Sequence, residues 1–165
     1  MNHGHRKDAS AGRARHVRPP LPGLPKGSRP RVTVVVTCFN YGRYLPMSVG
    51  SALDQPGVAT DVVIVDDASD DDSASVAVSL AAADSRVGVL TRRANGGPVA
   101  AFNDGLAKAQ GEYLVRLDAD DLLTPGSLAR SLALLEANPW VGMAYGRPLH
   151  FDGDSELPAA GELVR

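Results

Sequence analysis

At 165 residues the chain has room for one domain or part of one, and 44% hydrophobic with 22% charged residues is the balance of an ordinary soluble globular protein. The formal net charge of −2 hides an asymmetry: residues 1–31 carry eight Lys/Arg against the single Asp8, while the remainder carries nine basic and eighteen acidic side chains. An acidic body argues against a nucleic-acid surface, which needs a basic face, and suits a protein that recruits divalent cations.

Residues 1–30 read as a disordered, basic tail. The stretch 18–30 contains five prolines and two glycines and can neither pair as a strand nor continue a helix. A solvated leader is the plain expectation; contact with an anionic membrane surface is the alternative. His3 and His5 make a weak metal pair on such a tail. No apolar run reaches the ~18 residues that span a bilayer. The N-terminal stretch also lacks the apolar core of a secretion signal, and the expectation is a cytoplasmic protein. The single cysteine, Cys38, excludes an internal disulfide framework.

From Arg31 the texture changes. Val32–Thr37 is β-branched throughout and predicts a strand buried on both faces, ending in the loop Cys38-Phe39-Asn40-Tyr41-Gly42. Tyr44–Asp54 has apolar residues at helical spacing and is closed by Gln55-Pro56-Gly57. Asp61–Val65 predicts a second strand, ending in Asp66-Asp67, and Ser73–Ala83 a second helix. Val87–Leu90 is a third strand, followed by Asn95-Gly96-Gly97-Pro98 and a helix over Val99–Gln110 that Gly111 ends. Tyr113–Leu117 is a fourth strand and runs into Asp118, Asp120 and Asp121. A fourth helix from Pro125 to about Ala137 and a fifth strand over Val141–Tyr145 complete the pattern.

Alternating apolar strands and helices predict an α/β domain over 31–151, a Rossmann-like parallel sheet with helices on both faces, with an irregular segment over 152–165. Ligands of such sheets bind beyond the carboxyl ends of the strands, and the polar clusters fall there. Three carboxylates in four residues repel one another. An acidic turn capping the next helix is the bland reading; a hard cation, Mg²⁺ or Mn²⁺, shared with a substrate's phosphates is the functional one. No P-loop and no Gly-x-Gly-x-x-Gly follows the first strand, and Gly96-Gly97 alone is a weak signal.

Four motifs in order then resemble family 2 glycosyltransferases: Val34–Asn40, Val65–Ser69, Asn95–Gly97 with Asn103–Leu106, and Gly111–Tyr113 through Asp121. The resemblance implies the GT-A fold and a nucleotide-diphosphate sugar donor, typically a UDP-sugar. It implies sugar transfer with inversion to an acceptor hydroxyl, on a glycan or lipid-linked glycan. It places Thr37 and Phe39 in the nucleotide pocket and Asp67 against the base, with Asp66 supporting that loop. Gly97 and Asn103 fall near the diphosphate and sugar. Asp118 falls at the ribose or a metal-bound water, Asp120 on the Mg²⁺ or Mn²⁺, and Asp121 assists. Phe102 stands where the family often has Arg, and Arg92, Arg93 or Arg116 are the candidate substitutes.

The resemblance leaves the catalytic base unknown. His150, Asp152, Asp154 and Glu156 lie beyond the fifth predicted strand, and their place does not match the family's base motif. The expectation is therefore the donor-binding portion of a longer metal-dependent transferase, its C-terminal acceptor half truncated and the activity of the fragment left open. A non-catalytic nucleotide-sugar-binding or partner-interaction module is the main alternative. An aspartate phosphotransfer domain fits less well, because Lys108 is the only lysine in the body. A haloacid-type phosphatase would carry its Asp-x-Asp on the first strand. Trp140, Met143 and Tyr145 are read as core residues and Cys38 as a bystander.

Overall fold

The computed structural model describes residues 29–149. Four strands, β1 (Arg31–Cys38), β2 (Ala59–Asp66), β3 (Val87–Thr91) and β4 (Tyr113–Asp118), alternate with helices α1 (Leu45–Leu53), α2 (Ser73–Ala83), α3 (Gly97–Leu106) and α4 (Ser127–Ala137). The sheet has the order β3-β2-β1-β4, and each adjacent pair is parallel. β1 is central because its β-branched run is buried from Val32 to Cys38 and can pair on both edges.

The pleat sorts β1 into two cores. Val32, Val34, Val36 and Cys38 face one side, joined by Val62 and Ile64 of β2 and Leu117 of β4, and covered by Leu45 and Val49 of α1, Ala77 of α2 and Leu128 and Leu132 of α4. Val35, with Val63 and Val65, faces the other side, where Ala101 and Phe102 of α3 cover it. Helices therefore lie on both faces, as the strand texture requires. Gly105 explains how close α3 comes: a Cβ built there would stand 2.4 Å from Val35 Cγ1 and 3.0 Å from Val65 Cγ2.

Several boundaries differ from the sequence expectation. A single 3₁₀ turn, Gly42–Tyr44, precedes α1. α3 stops at Leu106, short of Gln110. Gly111 is instead tied to the sheet, since the N–H groups of Gln110 and Gly111 both donate to Thr33 Oγ1. α4 starts at Ser127 because Gly126 takes the left-handed conformation, φ +71°. Its first turn is held from outside by buried Gln55, whose Oε1 accepts from Leu128 N–H at 3.3 Å while Nε2 donates to the carbonyls of Ser51 and Thr124.

The fifth strand is a correction: residues 141–149 have no regular secondary structure. The Val141 N–H closes a turn onto the Asn138 carbonyl (2.8 Å), where the strand was expected to begin. A short apolar run becomes a strand only when a neighbour takes its backbone groups, and among the described residues none does. Trp140, Met143 and Tyr145 are consequently exposed, so the reading of them as core residues is also corrected. Residues 1–28, and the candidate bases His150, Asp152, Asp154 and Glu156, lie outside the described residues. No helix among the described residues is long and apolar enough to cross a membrane.

Candidate functional site

The chain adds β2 and β3 on one side of β1 and then crosses to add β4 on the other. A crevice opens at such a reversal, beyond the carboxyl ends of the two central strands. Thr37 of β1 and Asp118 of β4 are register partners at that end, and the Ala119 N–H extends the pairing to the Thr37 carbonyl at 3.1 Å. The cleft there has a volume of about 400 Å³. Thr37, Phe39, Asp67, Gly97, Asp118 and Asp120 all line it. Residues separated by more than eighty positions are thus gathered by topology alone. Asn103 stands apart, exposed on α3 and outside the cleft wall.

On the β4 side, Asp118 Oδ1 accepts two hydrogen bonds, from Thr37 Oγ1 at 2.9 Å and Arg116 Nη2 at 2.7 Å. The Thr37 hydroxyl therefore orients an acid. Asp120 is exposed on the turn that the Asp121 N–H closes onto the Asp118 carbonyl. Loss of hydration and then the charges of Asp120 and Asp118 push the Asp121 carboxyl above its ordinary value, against a smaller opposing pull from Arg116.

The opposite wall is built around Asp67, which is buried. Its Oδ1 accepts from Arg92 Nη1 and from Gly96 N–H at 3.0 Å, and its Oδ2 accepts from Gly97 N–H at 2.7 Å. Burial by itself raises this carboxyl. The hydrogen bonds from Gly96, Arg92 and Gly97 outweigh that and hold it below the usual carboxylate range. Gly97 supports the turn with φ +81°, a conformation that side chains disfavour. Arg92 also donates through Nε to Asp104 of α3 at 2.7 Å, so one guanidinium ties strand β3's end, the glycine loop and the helix together. The carboxylate expected to meet a nucleotide base is thus already bonded within the protein.

Between these walls, Asn40 (φ +59°) accepts from the Asp70 N–H through Oδ1, while its own N–H donates to Ser69 Oγ, fixing the Phe39–Tyr41 loop against residues 68–71. Phe39 and Tyr41 present partly exposed rings to the cleft. Cys38 lines its floor, and burial pushes its thiol up, away from the reactive thiolate. Asp66 lies behind; its Oδ1 is the one buried side-chain polar atom without a hydrogen-bond partner among the described residues.

Reading the sequence placed the Asn95–Gly97 cluster at the cleft but missed Tyr41, Pro98 and Ala101 in the wall and the clamp made by Arg92. The Arg92-Arg93 pair was visible, but its partners Asp67 and Asp104 lie 25 and 12 residues away and leave no local pattern.

Among the described residues, no group of three or more His, Cys, Asp or Glu side chains is arranged to enclose a metal ion. Two carboxylates, Asp118 and Asp120, nevertheless face the cleft, next to Asp121, whose carboxyl is raised by loss of hydration and then by these two neighbours. That donor set of hard oxygens fits Mg²⁺ or Mn²⁺ completed by a ligand's phosphates, and does not fit a metal held by protein alone.

A parallel α/β sheet with an acidic, glycine-edged cleft at its reversal point defines a Rossmann-like ligand-binding domain. Comparison with known proteins gives the class its family. The model of glycosyl transferase family 2 matches residues 33–162. A succinoglycan biosynthesis protein, ExoO, of Rhizobium meliloti is 38% identical over 143 residues, covering 82% of this chain and 40% of that protein. An uncharacterized glycosyltransferase of Nostoc is 35% identical over 116 residues, 70% of this chain and 36% of that protein. Among solved structures, a mannosyltransferase from Pyrobaculum calidifontis in complex with GDP-Man and Mn²⁺ superposes with a TM-score of 0.64 at 30% identity, covering 70% of this chain and 35% of that one. TarS 1-349 of S. aureus in complex with UDP-GlcNAc gives 0.59 at 27% identity, over 66% and 32% of the two chains. The chain belongs to glycosyltransferase family 2, and its fold is the GT-A type. It spans about two fifths or less of the length of these relatives.

Proposed function

We propose that this domain binds the nucleotide-diphosphate sugar donor, a UDP-sugar, of a glycosyltransferase that passes the sugar to an acceptor hydroxyl on a glycan with inversion. The observation that carries the reading is the meeting of Thr37, Asp118 and Asp120 with Asp67 and Gly97 around one cleft in a chain of this family. Phe39 and Tyr41 line the base and ribose end, where flat apolar faces stack on a ring. Asp67 sets the Gly96–Gly97 loop and meets the base edge by exchanging one of its protein donors. Asp120, with Asp118, would hold Mg²⁺ or Mn²⁺. Such an ion supplies Lewis-acid stabilisation of the negative charge that grows on a departing diphosphate.

In the transfer itself the acceptor oxygen attacks the anomeric carbon as the bond to the diphosphate breaks. Its proton leaves to a general base, which the described residues do not assign. Nucleotide-sugar binding without turnover is the second reading, since each acid that lines the cleft, Asp67, Asp118 and Asp120, already has a role in holding the donor in the first.

Titration calorimetry with UDP, with and without Mn²⁺, tests the proposal on wild type and Asp120→Ala. Wild type should bind with metal, and Asp120→Ala should lose the metal-dependent part while melting like wild type. Equal affinity of the two proteins sinks the metal assignment. Release of UDP from a UDP-sugar in the presence of acceptor separates an enzyme from a binding module.

A further inference from the structure

A donor diphosphate brings two negative charges into a cleft that already holds Asp67, Asp118 and Asp120, and a protein cation facing it would offset the repulsion alongside any metal. Four sources of positive charge come into question. Arg92 is engaged on both sides by Asp67 and Asp104. Arg93 is exposed and outside the cleft wall. The N-terminus of α3 lies at the cleft, but the Asp67 carboxylate already accepts its Gly96 and Gly97 N–H groups.

That leaves Arg116, the one cationic side chain lining the cleft among the described residues. Arg116 and Asp118 are two residues apart on β4 and therefore share a face of the sheet. The guanidinium rests on Asp118 Oδ1 at 2.7 Å, with both side chains almost half exposed (47% and 44%). An ion pair this wet is weak and readily exchanged. Asp118 keeps its Thr37 hydrogen bond when the arginine leaves, so the acid stays oriented after the exchange.

We propose that Arg116 is the diphosphate-binding cation of this cleft, parked on Asp118 in the free protein and transferred to the donor's phosphate oxygens on binding. The inference rests on the nucleotide-sugar reading above. The planar guanidinium fork suits two phosphate oxygens at once, which a lysine at the same place cannot match. Its departure also uncovers Asp118 for the cation that accompanies the diphosphate.

The test is equilibrium binding of uridine, UMP and UDP, and of the guanosine series, to the full chain with Mn²⁺, for wild type, Arg116→Met, Arg116→Gln and Arg116→Lys. In wild type UDP should bind more tightly than UMP. In the Met and Gln variants that advantage should fall roughly tenfold or more, uridine affinity should not change, and the Lys variant should fall between. A UDP advantage that survives intact in a folded Met or Gln variant overturns the inference and leaves the nucleotide-sugar reading standing. Wild type that binds neither UDP nor GDP overturns that reading, and the inference falls with it. Should Met unfold the protein, the Gln variant, which keeps a polar group at a half-exposed position, decides by the same ratio.

Discussion

Replacing Asp67 with Ala isolates what the glycine loop depends on. The substitution removes the acceptor of Arg92 Nη1, Gly96 N–H and Gly97 N–H in one step. Breaking a fully buried ion pair costs about 3–5 kcal/mol, because the surviving charge is left unpaired. Here the acid is nearly buried at 4% exposure, but its partner is 19% exposed and retains Asp104. The two loop N–H groups can also take water, since Gly96 is exposed and Gly97 partly so. The expected loss is therefore smaller, about 2–3 kcal/mol, which is a large share of the 5–15 kcal/mol that typically separates folded from unfolded domains. Urea unfolding of wild type, Asp67→Ala, Arg92→Met and the double variant closes a cycle, with an expected coupling of about 1–2 kcal/mol. Uridine affinity should fall together with stability in both single variants. If Asp67→Ala unfolds within 0.5 kcal/mol of wild type and shows no coupling to Arg92, the anchor argument is wrong and the carboxylate is free for a ligand.

Other consequences are as direct. Gly105→Ala gains about 1 kcal/mol of helix propensity but drives a methyl into Val35, so a net loss of about 1–2 kcal/mol is expected by chemical denaturation; pairing it with Val35→Ala should restore much of it, and a stabilised single variant would contradict the packing described. Gln55→Ala should cost about 2 kcal/mol by removing the buried side chain that binds the first turn of α4, read as a lower urea midpoint with hydrogen exchange accelerated at Leu128. Asp84 is held at about 2, first by the Arg86 side chain and then by the Arg86 N–H. A depressed carboxyl stabilises the fold above its unfolded value and loses that contribution as pH falls through the folded one. Asp84→Asn should therefore melt below wild type at pH 7, and the gap should close near pH 2; a gap independent of pH would deny the pairing.

How much of this was legible in the chain depended on the range of the interaction. β1, β2 and β4 are dense β-branched or apolar runs between polar breaks, and such runs announce themselves. α2 was readable to the residue, Ser73–Ala83, because Asp71 and Asp72 mark its start and Asp84 its end. The polar strand ends also foretold one cleft, since parallel sheets present those ends on one side. What stayed hidden is tertiary. Nothing near Gln55 says that it will bind α4, and nothing near Arg92 says that it will join Asp67 to Asp104. Val141–Tyr145 failed for the complementary reason: composition gives a strand its preference, but an edge to pair with gives it existence.

The same distinction bears on why the acids of β4 sit where they do. Asp118, Asp120 and Asp121 crowd three like charges at one strand end, and the Asp121 carboxyl is raised first by loss of hydration and then by its two acidic neighbours. The free protein offsets part of that charge locally, with Thr37 and Arg116 on one oxygen of Asp118. It leaves Asp120 exposed in the cleft with no hydrogen-bond or ion-pair partner among the described residues. Across the cleft the opposite solution operates, with Arg92 Nη1 and the Gly96 and Gly97 N–H groups all turned onto Asp67. One wall is thus satisfied within the protein and shapes the pocket, while the other keeps negative charge that Arg116 offsets only on Asp118. A ligand bearing its own phosphates repels such a wall unless a cation comes with it, so donor and metal are expected to bind cooperatively rather than independently.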